Sequence, residues 1–284
     1  MTDACLIRLQ RHVDDYLRVN DSVGYNRYLD FDWSALPDSI TASGLTDTHL
    51  NAIETAMLVE DHIPGYASEY LRRFHVEESR TDDEAWMRRQ MLHFVFRWVA
   101  EEDRHAHLLE LYLRHSGRRD PVALTQLMVQ EGRKAYRAPH YEPNQIFAYT
   151  ALQEKATQLY YSCLRQAVDE PILRSVLARL AQDEARHCGF FSNLVLDALE
   201  HADTGTIAQF KEALQQFRMP LADMLDNYKR KAIEMMRAAR GYDYREAFDH
   251  FRRLVKRVSE ARTTARGSNL IELMHLAQRL APQS

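Results

Sequence analysis

At 284 residues, with 45% apolar and 27% charged side chains, the chain is long enough to bury a sizeable core and has an ordinary globular composition. Its net charge of −4 excludes a general nucleic-acid binder, which needs a strong basic excess. Three cysteines (Cys5, Cys163 and Cys188), with no two close in sequence, exclude a disulfide framework or thiolate cluster and fit a reducing compartment.

Only 9 Gly and 8 Pro punctuate the chain, which favours long helices over turn-rich β structure. The opening MTDACLIRLQRHVDDY alternates charged and apolar residues too quickly for a signal peptide. One short helix is expected there, followed by an irregular stretch around Trp33 and Pro37. Breaker clusters near 34–47, 79–84, 116–121, 138–144, 201–205 and 240–243 then delimit four long helical segments, about 46–75, 85–115, 143–169 and 170–200. A last helical region runs from about 206 to 265. No apolar run approaches the roughly 18 residues that span a bilayer. A soluble, cytoplasmic protein without a membrane segment is expected.

The apolar stripe of each long segment carries the decisive feature. In the first, Leu50, Ile53 and Met57 lead to Glu60, with Ala67 and Leu71 beyond. In the second, Met91, Val95, Trp98, Leu109 and Tyr112 step by three and four, and Glu102 and His105 complete the series. The third runs Phe147, Ala151, Glu154, Thr157, Tyr161, Leu164. The fourth runs Leu173, Leu177, Leu180, Glu184, His187, Phe191, Leu194, Ala198. Each segment therefore places a carboxylate on the face expected to meet the core.

A buried carboxylate without a partner costs several kcal/mol, and four together also repel one another. The stripes hold no matching Lys or Arg. Two metal ions would neutralise the set, and hard oxygen donors with two imidazoles suit iron or manganese. A lone Glu on two helices and Glu-x-x-His on two others is the ligand pattern of di-iron carboxylate bundles. The proposed ligands are Glu60, Glu102, His105, Glu154, Glu184 and His187. The expected fold is all-α: a ferritin-like four-helix bundle, core about 46–200, with additional flanking helices about 206–280, in one domain. His62, His75, His93, His107 and His115 have no carboxylate in register and read as surface or packing residues.

At these same segments the chain resembles the soluble acyl–acyl carrier protein desaturases. WVAEEDRHAHLLELYLRHSG at 98–117 is similar to that family's EENRH helix, and VEDHIPGY at 59–66 to its TEEALPTY. IFAYTALQEKAT at 146–157 is similar to FIYTSFQERAT, and AQDEARH at 181–187 to AADEKRH; RMPLADM at 218–224 matches a Met-Pro turn after the bundle. The resemblance covers roughly 59–224. It implies two irons, O2-dependent removal of two hydrogens from adjacent carbons of a saturated acyl chain, a ferredoxin-type electron donor, and a homodimer. It also implies that Thr157 assists O2 activation through its hydroxyl, with a core threonine bonded back to its own helix as the other reading. Asp183 matches an acid that orients a ligand histidine, here His105; a surface carboxylate paired with a nearby arginine is its other reading.

The charged stretch SEYLRRFHVEESRTDDE after Tyr66 replaces a substrate-lining region and leaves chain length and double-bond position open. Two other outcomes share the ligand set: oxygenation of another substrate, and metal storage. Acyl carrier proteins are acidic, so a basic docking patch is expected. The densest basic run is Arg252, Arg253, Lys256, Arg257, Arg262 and Arg266, with Lys229 to Lys231 a second.

Overall fold

The computed structural model describes residues 3–138, 142–260 and 267–282. Among them there are twelve α-helices and no strand, the all-α class expected from sparse Gly and Pro. In chain order they are α1 (Asp3–Ser22), α2 (Leu36–Ser43), α3 (Asp47–Glu60), α4 (Ile63–Arg73), α5 (Asp82–His115) and α6 (Pro121–Gly132). There follow α7 (Pro143–Ala167), α8 (Pro171–Glu200), α9 (Thr204–Gln215), α10 (Tyr228–Ala238), α11 (Glu246–Glu260) and α12 (Gly267–Leu280). No helix among the described residues is long and apolar enough to cross a membrane.

The chain divides into two compact units. The first comprises residues up to 138 with 161–180 and 220–242, and the second 139–160, 181–219 and 243 onward.

In the first unit α5 is the spine, and α1, α3 and α4 pack along it. Its 34 residues start at a Thr81 cap, whose side chain accepts from the Glu84 amide. Asp82, Asp83 and Glu84 in the first turn and Arg114 and His115 in the last complement the helix dipole. Met91, Val95, Trp98, Leu109 and Tyr112 are buried, as their spacing predicts. Trp98 packs on Tyr70 (4.9 Å between centroids) and Phe94 (6.3 Å). Tyr16 of α1 donates to the buried carboxylate of Glu101 at 2.5 Å. α8 begins at Pro171, and the fully buried Glu170 before it receives four hydrogen bonds. The amides of Ile172 (3.0 Å) and Leu173 (2.5 Å), Ser39 Oγ of α2 (2.5 Å) and Tyr112 Oη of α5 (3.1 Å) all donate to it.

The single helix expected over 46–75 is two. α3 ends at Glu60, and Pro64 sits in the first turn of α4, where its missing amide proton is harmless. The break rephases the chain, so Ile63, Tyr66 and Tyr70 turn inward while Leu71, expected on the stripe, is 38% exposed. Gly65 suits this corner: a Cβ there would stand 2.5 Å from the Tyr136 Cβ. α1 is longer than the short helix expected, at 20 residues. α6 lies in a stretch the stripe pattern did not single out. The region after 206 divides into α9 to α12, interrupted at Leu221, Asn227 and Gly241, all with positive φ.

In the second unit α12 packs on α9 and α11. Phe210 meets Phe251 (6.0 Å) and Phe217 meets Phe248 (5.5 Å) edge to face. Asn144 and Gln145 of α7 bond Gln209 (2.8 Å) and Glu212 (2.6 Å) of α9. Ser192 of α8 meets His250 of α11 at 2.9 Å. Arg262 and Arg266 of the basic run lie outside the described residues.

Candidate metal centre

All six expected ligands are buried: Glu60 is 7% exposed, Glu102 6%, Glu154 and Glu184 1%, and both histidines 0%. They form two triads of identical composition, one in each unit.

In the first unit Glu60, the last residue of α3, joins Glu102 and His105 of α5. One oxygen or nitrogen from each lies within 4.8 Å of the others. Residues three apart on a helix share a face, so His105 Nδ1 stands 3.6 Å from Glu102 Oε2. Tyr161 Oη donates a short hydrogen bond to Glu60 Oε1.

In the second unit Glu154 of α7 joins Glu184 and His187 of α8, again within 4.8 Å. His187 Nδ1 lies 3.4 Å from Glu184 Oε2 and 3.6 Å from Glu154 Oε2. Burial pushes the thiol of the neighbouring Cys188 up to about 11.

The geometry can be tested against a bound ion. Protein oxygen and imidazole nitrogen sit about 2.1 Å from such ions, which places adjacent donors about 3.0–3.4 Å apart and opposed ones about 4.2 Å apart. The Nδ1–Oε2 distances of 3.4 and 3.6 Å lie at or just beyond the adjacent-donor spacing. An ordinary N–H···O hydrogen bond would instead draw the Nδ1 pairs to about 2.9 Å. Two carboxylates and a neutral imidazole carry the charge that one divalent cation cancels. Buried groups of this kind can hold a metal, and the oxygen-rich set with imidazole suits iron or manganese over softer ions.

Thr157, one turn beyond Glu154, donates its hydroxyl to the Gln153 carbonyl at 3.1 Å, the back-bond of a threonine within a helix. Asp183 is buried and pairs with Arg186 at 2.6 Å. Among the other histidines, His75, His93 and His115 are exposed and His62 is buried.

Sequence reasoning counted Tyr161 only as a core residue of its stripe. Its place seven residues after Glu154, two helical turns along the same face, was the available signal. Tyr161→Phe keeps the packed ring and removes the proton donated to Glu60. We expect the fold to persist and the first triad to bind its ion about 10- to 100-fold more weakly. A chelator-competition titration measures this; an unchanged affinity would leave the bond without a role in metal binding.

Comparison with known proteins bears on what such a centre serves. A family model described as fatty acid desaturase matches residues 32–272. A Mycobacterium tuberculosis protein named as an acyl-[acyl-carrier-protein] desaturase, DesA2, is 32% identical over 212 residues, 70% of each chain. Stearoyl-[acyl-carrier-protein] 9-desaturase 6 of Arabidopsis thaliana is 29% identical over 193 residues, 66% of this chain and 48% of the relative. The solved structure of DesA2 from Mycobacterium tuberculosis H37Rv aligns over 99% of this chain and 100% of its own, with a TM-score of 0.56 at 22% identity. That likeness shows the all-α, ferritin-like fold.

Proposed function

This chain belongs to the fatty acid desaturase family, and we propose that it is an O2-dependent desaturase of a saturated acyl chain carried on acyl carrier protein. The observation that carries the reading is the pair of matched buried triads, each two glutamates and a histidine. We assign one iron ion to each triad, with manganese the other ion the donors suit. When bound, the two irons supply the O2-derived oxidising power that an unactivated C–H bond demands of a metal centre.

The reaction balances as follows. Two adjacent CH2 groups each lose one hydrogen and become CH=CH. O2, with those two hydrogens and two electrons and two protons from outside, leaves as two waters. A ferredoxin-type donor supplies the electrons, because the sequence carries no flavin or nicotinamide fingerprint.

The chain's own residues hold the centre and exclude water. The four glutamates and two imidazoles would hold the ions. Trp98, with Tyr70 and Phe94 packed on it, belongs to the apolar surround one turn from Glu102; such a surround limits water and side reactions. Thr157 is assigned to hand on a proton at Oγ1 during O2 reduction, and Asp183 to hold a ligand imidazole in place. Relatives named for acyl carrier protein substrates support the substrate class. We place the enzyme in the cytoplasm, as a homodimer.

Iron analysis of protein reconstituted with Fe(II) should find about two irons per chain. With stearoyl–acyl carrier protein, O2, ferredoxin and its reductase, mass spectrometry should then find an acyl product lighter by two hydrogens. A product that gains oxygen would make the protein an oxygenase. Consumption of O2 with an unaltered acyl chain would make it a redox or storage protein.

A further inference from the structure

The two basic stretches of the chain differ in how far their cations are already paired. Arg252 and Arg253 both pair with Asp249 in α11, and Lys256 pairs with Glu260 at 3.5 Å. Those three cations are answered within their own helix, while Arg257 makes no ion pair among the described residues.

α10 differs. Between Lys229 and Arg240 the chain has five cations and one acid, Glu234, against a net charge of −4 overall. At 100° per residue, Lys229, Arg230, Ile233, Met236 and Arg237 share one face of α10 about 120° wide, and Arg240 follows just past the helix end. All six are exposed, Ile233 by 50% and Met236 by 53%. The opposite side packs on α3. Lys229, Arg230, Arg237 and Arg240 make no ion pair among the described residues. Asp226, at the start of this face, is already held by Lys134 at 2.9 Å.

We propose that this face of α10 is where the acidic acyl carrier protein docks, with Ile233 and Met236 as its apolar centre and Lys229, Arg230 and Arg237, with Arg240 just beyond the helix, as its rim. The proposal rests on the function proposed above. Apolar anchors ringed by charge, with Met and Arg prominent, are the usual anatomy of a protein interface. Unanswered cations steer an acidic partner and speed its arrival. The face is about 12 Å long, the size of a small, transient contact, which suits a carrier that must leave with its product.

The test uses iron-loaded enzyme with stearoyl–acyl carrier protein, and also measures binding of the carrier lacking its prosthetic arm. Lys229→Glu/Arg230→Glu/Arg237→Glu should raise KM and Kd at least tenfold at low salt, with kcat nearly unchanged and the difference shrinking as salt rises. Ile233→Ala/Met236→Ala should weaken binding at all salt concentrations. The milder Lys229→Ala/Arg237→Ala covers the case in which the triple variant misfolds, judged by its melting curve. If wild type binds and desaturates the carrier substrate and the variants match it, the docking face is wrong and the function stands. If wild type neither binds the carrier nor alters its acyl chain, both fall. A variant that loses self-association, or binding to anionic phosphatidylglycerol vesicles, while keeping its carrier affinity also overturns the proposal.

Discussion

Glu102→Ala should strip the enzyme of function while leaving it folded. The side chain supplies one of three donors in the first triad, and its partner His105 sits 3.6 Å away on the same face of α5. Removing a mere orienting neighbour of a ligand costs about 10- to 100-fold in metal affinity or activity, so loss of the ligand should exceed that. We expect iron to fall from about two per chain to about one or fewer, and desaturation to drop at least about a hundredfold. Folding should not suffer in parallel, because the substitution removes a buried charge and alanine is the best helix former. Iron analysis, optical spectra and a melting curve together separate these effects. Full iron occupancy in the variant would remove Glu102 from the ligand set.

Glu170→Ala should do the opposite, damaging stability at a distance from the ligands. Its carboxylate is fully buried and answers two amides at the start of α8, Ser39 of α2 and Tyr112 of α5. Each buried donor left without an acceptor costs about 1–3 kcal/mol, more where the lost acceptor is charged. Partial relaxation and water entry should leave a net loss of about 3–5 kcal/mol, or about 10 °C in melting temperature. Glu170→Gln, which keeps one acceptor oxygen, should lose less. Thermal and urea denaturation measure both variants. A melting temperature within a degree or so of wild type would show that the network does not anchor α8.

The two buried triads were legible because they are a matter of local periodicity. Glu102 with His105, and Glu184 with His187, lie three residues apart on helices whose buried faces can be counted from the chain. A charge on a buried stripe is costly enough to need an explanation. The same counting failed past Glu60. Leu71 fits the stripe of an unbroken helix, but the chain turns at Asp61 and His62 before Pro64, and the phase restarts. Thr157 and Asp183 were placed by resemblance; within their own helices Thr157 donates to the Gln153 carbonyl and Asp183 pairs with Arg186.

Helix class, the inward faces, and the identity and order of the four buried glutamates and two buried histidines follow from the amino-acid sequence by itself, because each depends on neighbours within a turn or two. Only the tertiary structure decided what depends on residues far apart along the chain. Tyr161 reaches Glu60 across 101 positions. Glu170 gathers Ser39 from 131 positions away. Gly65 leaves room for Tyr136. The same holds for charge: α10 and α11 both read as basic, and only the placed side chains reveal which cations are already paired. A hydrogen bond or ion pair acts over a few ångströms of space, and a linear pattern records no distance beyond the helix it describes.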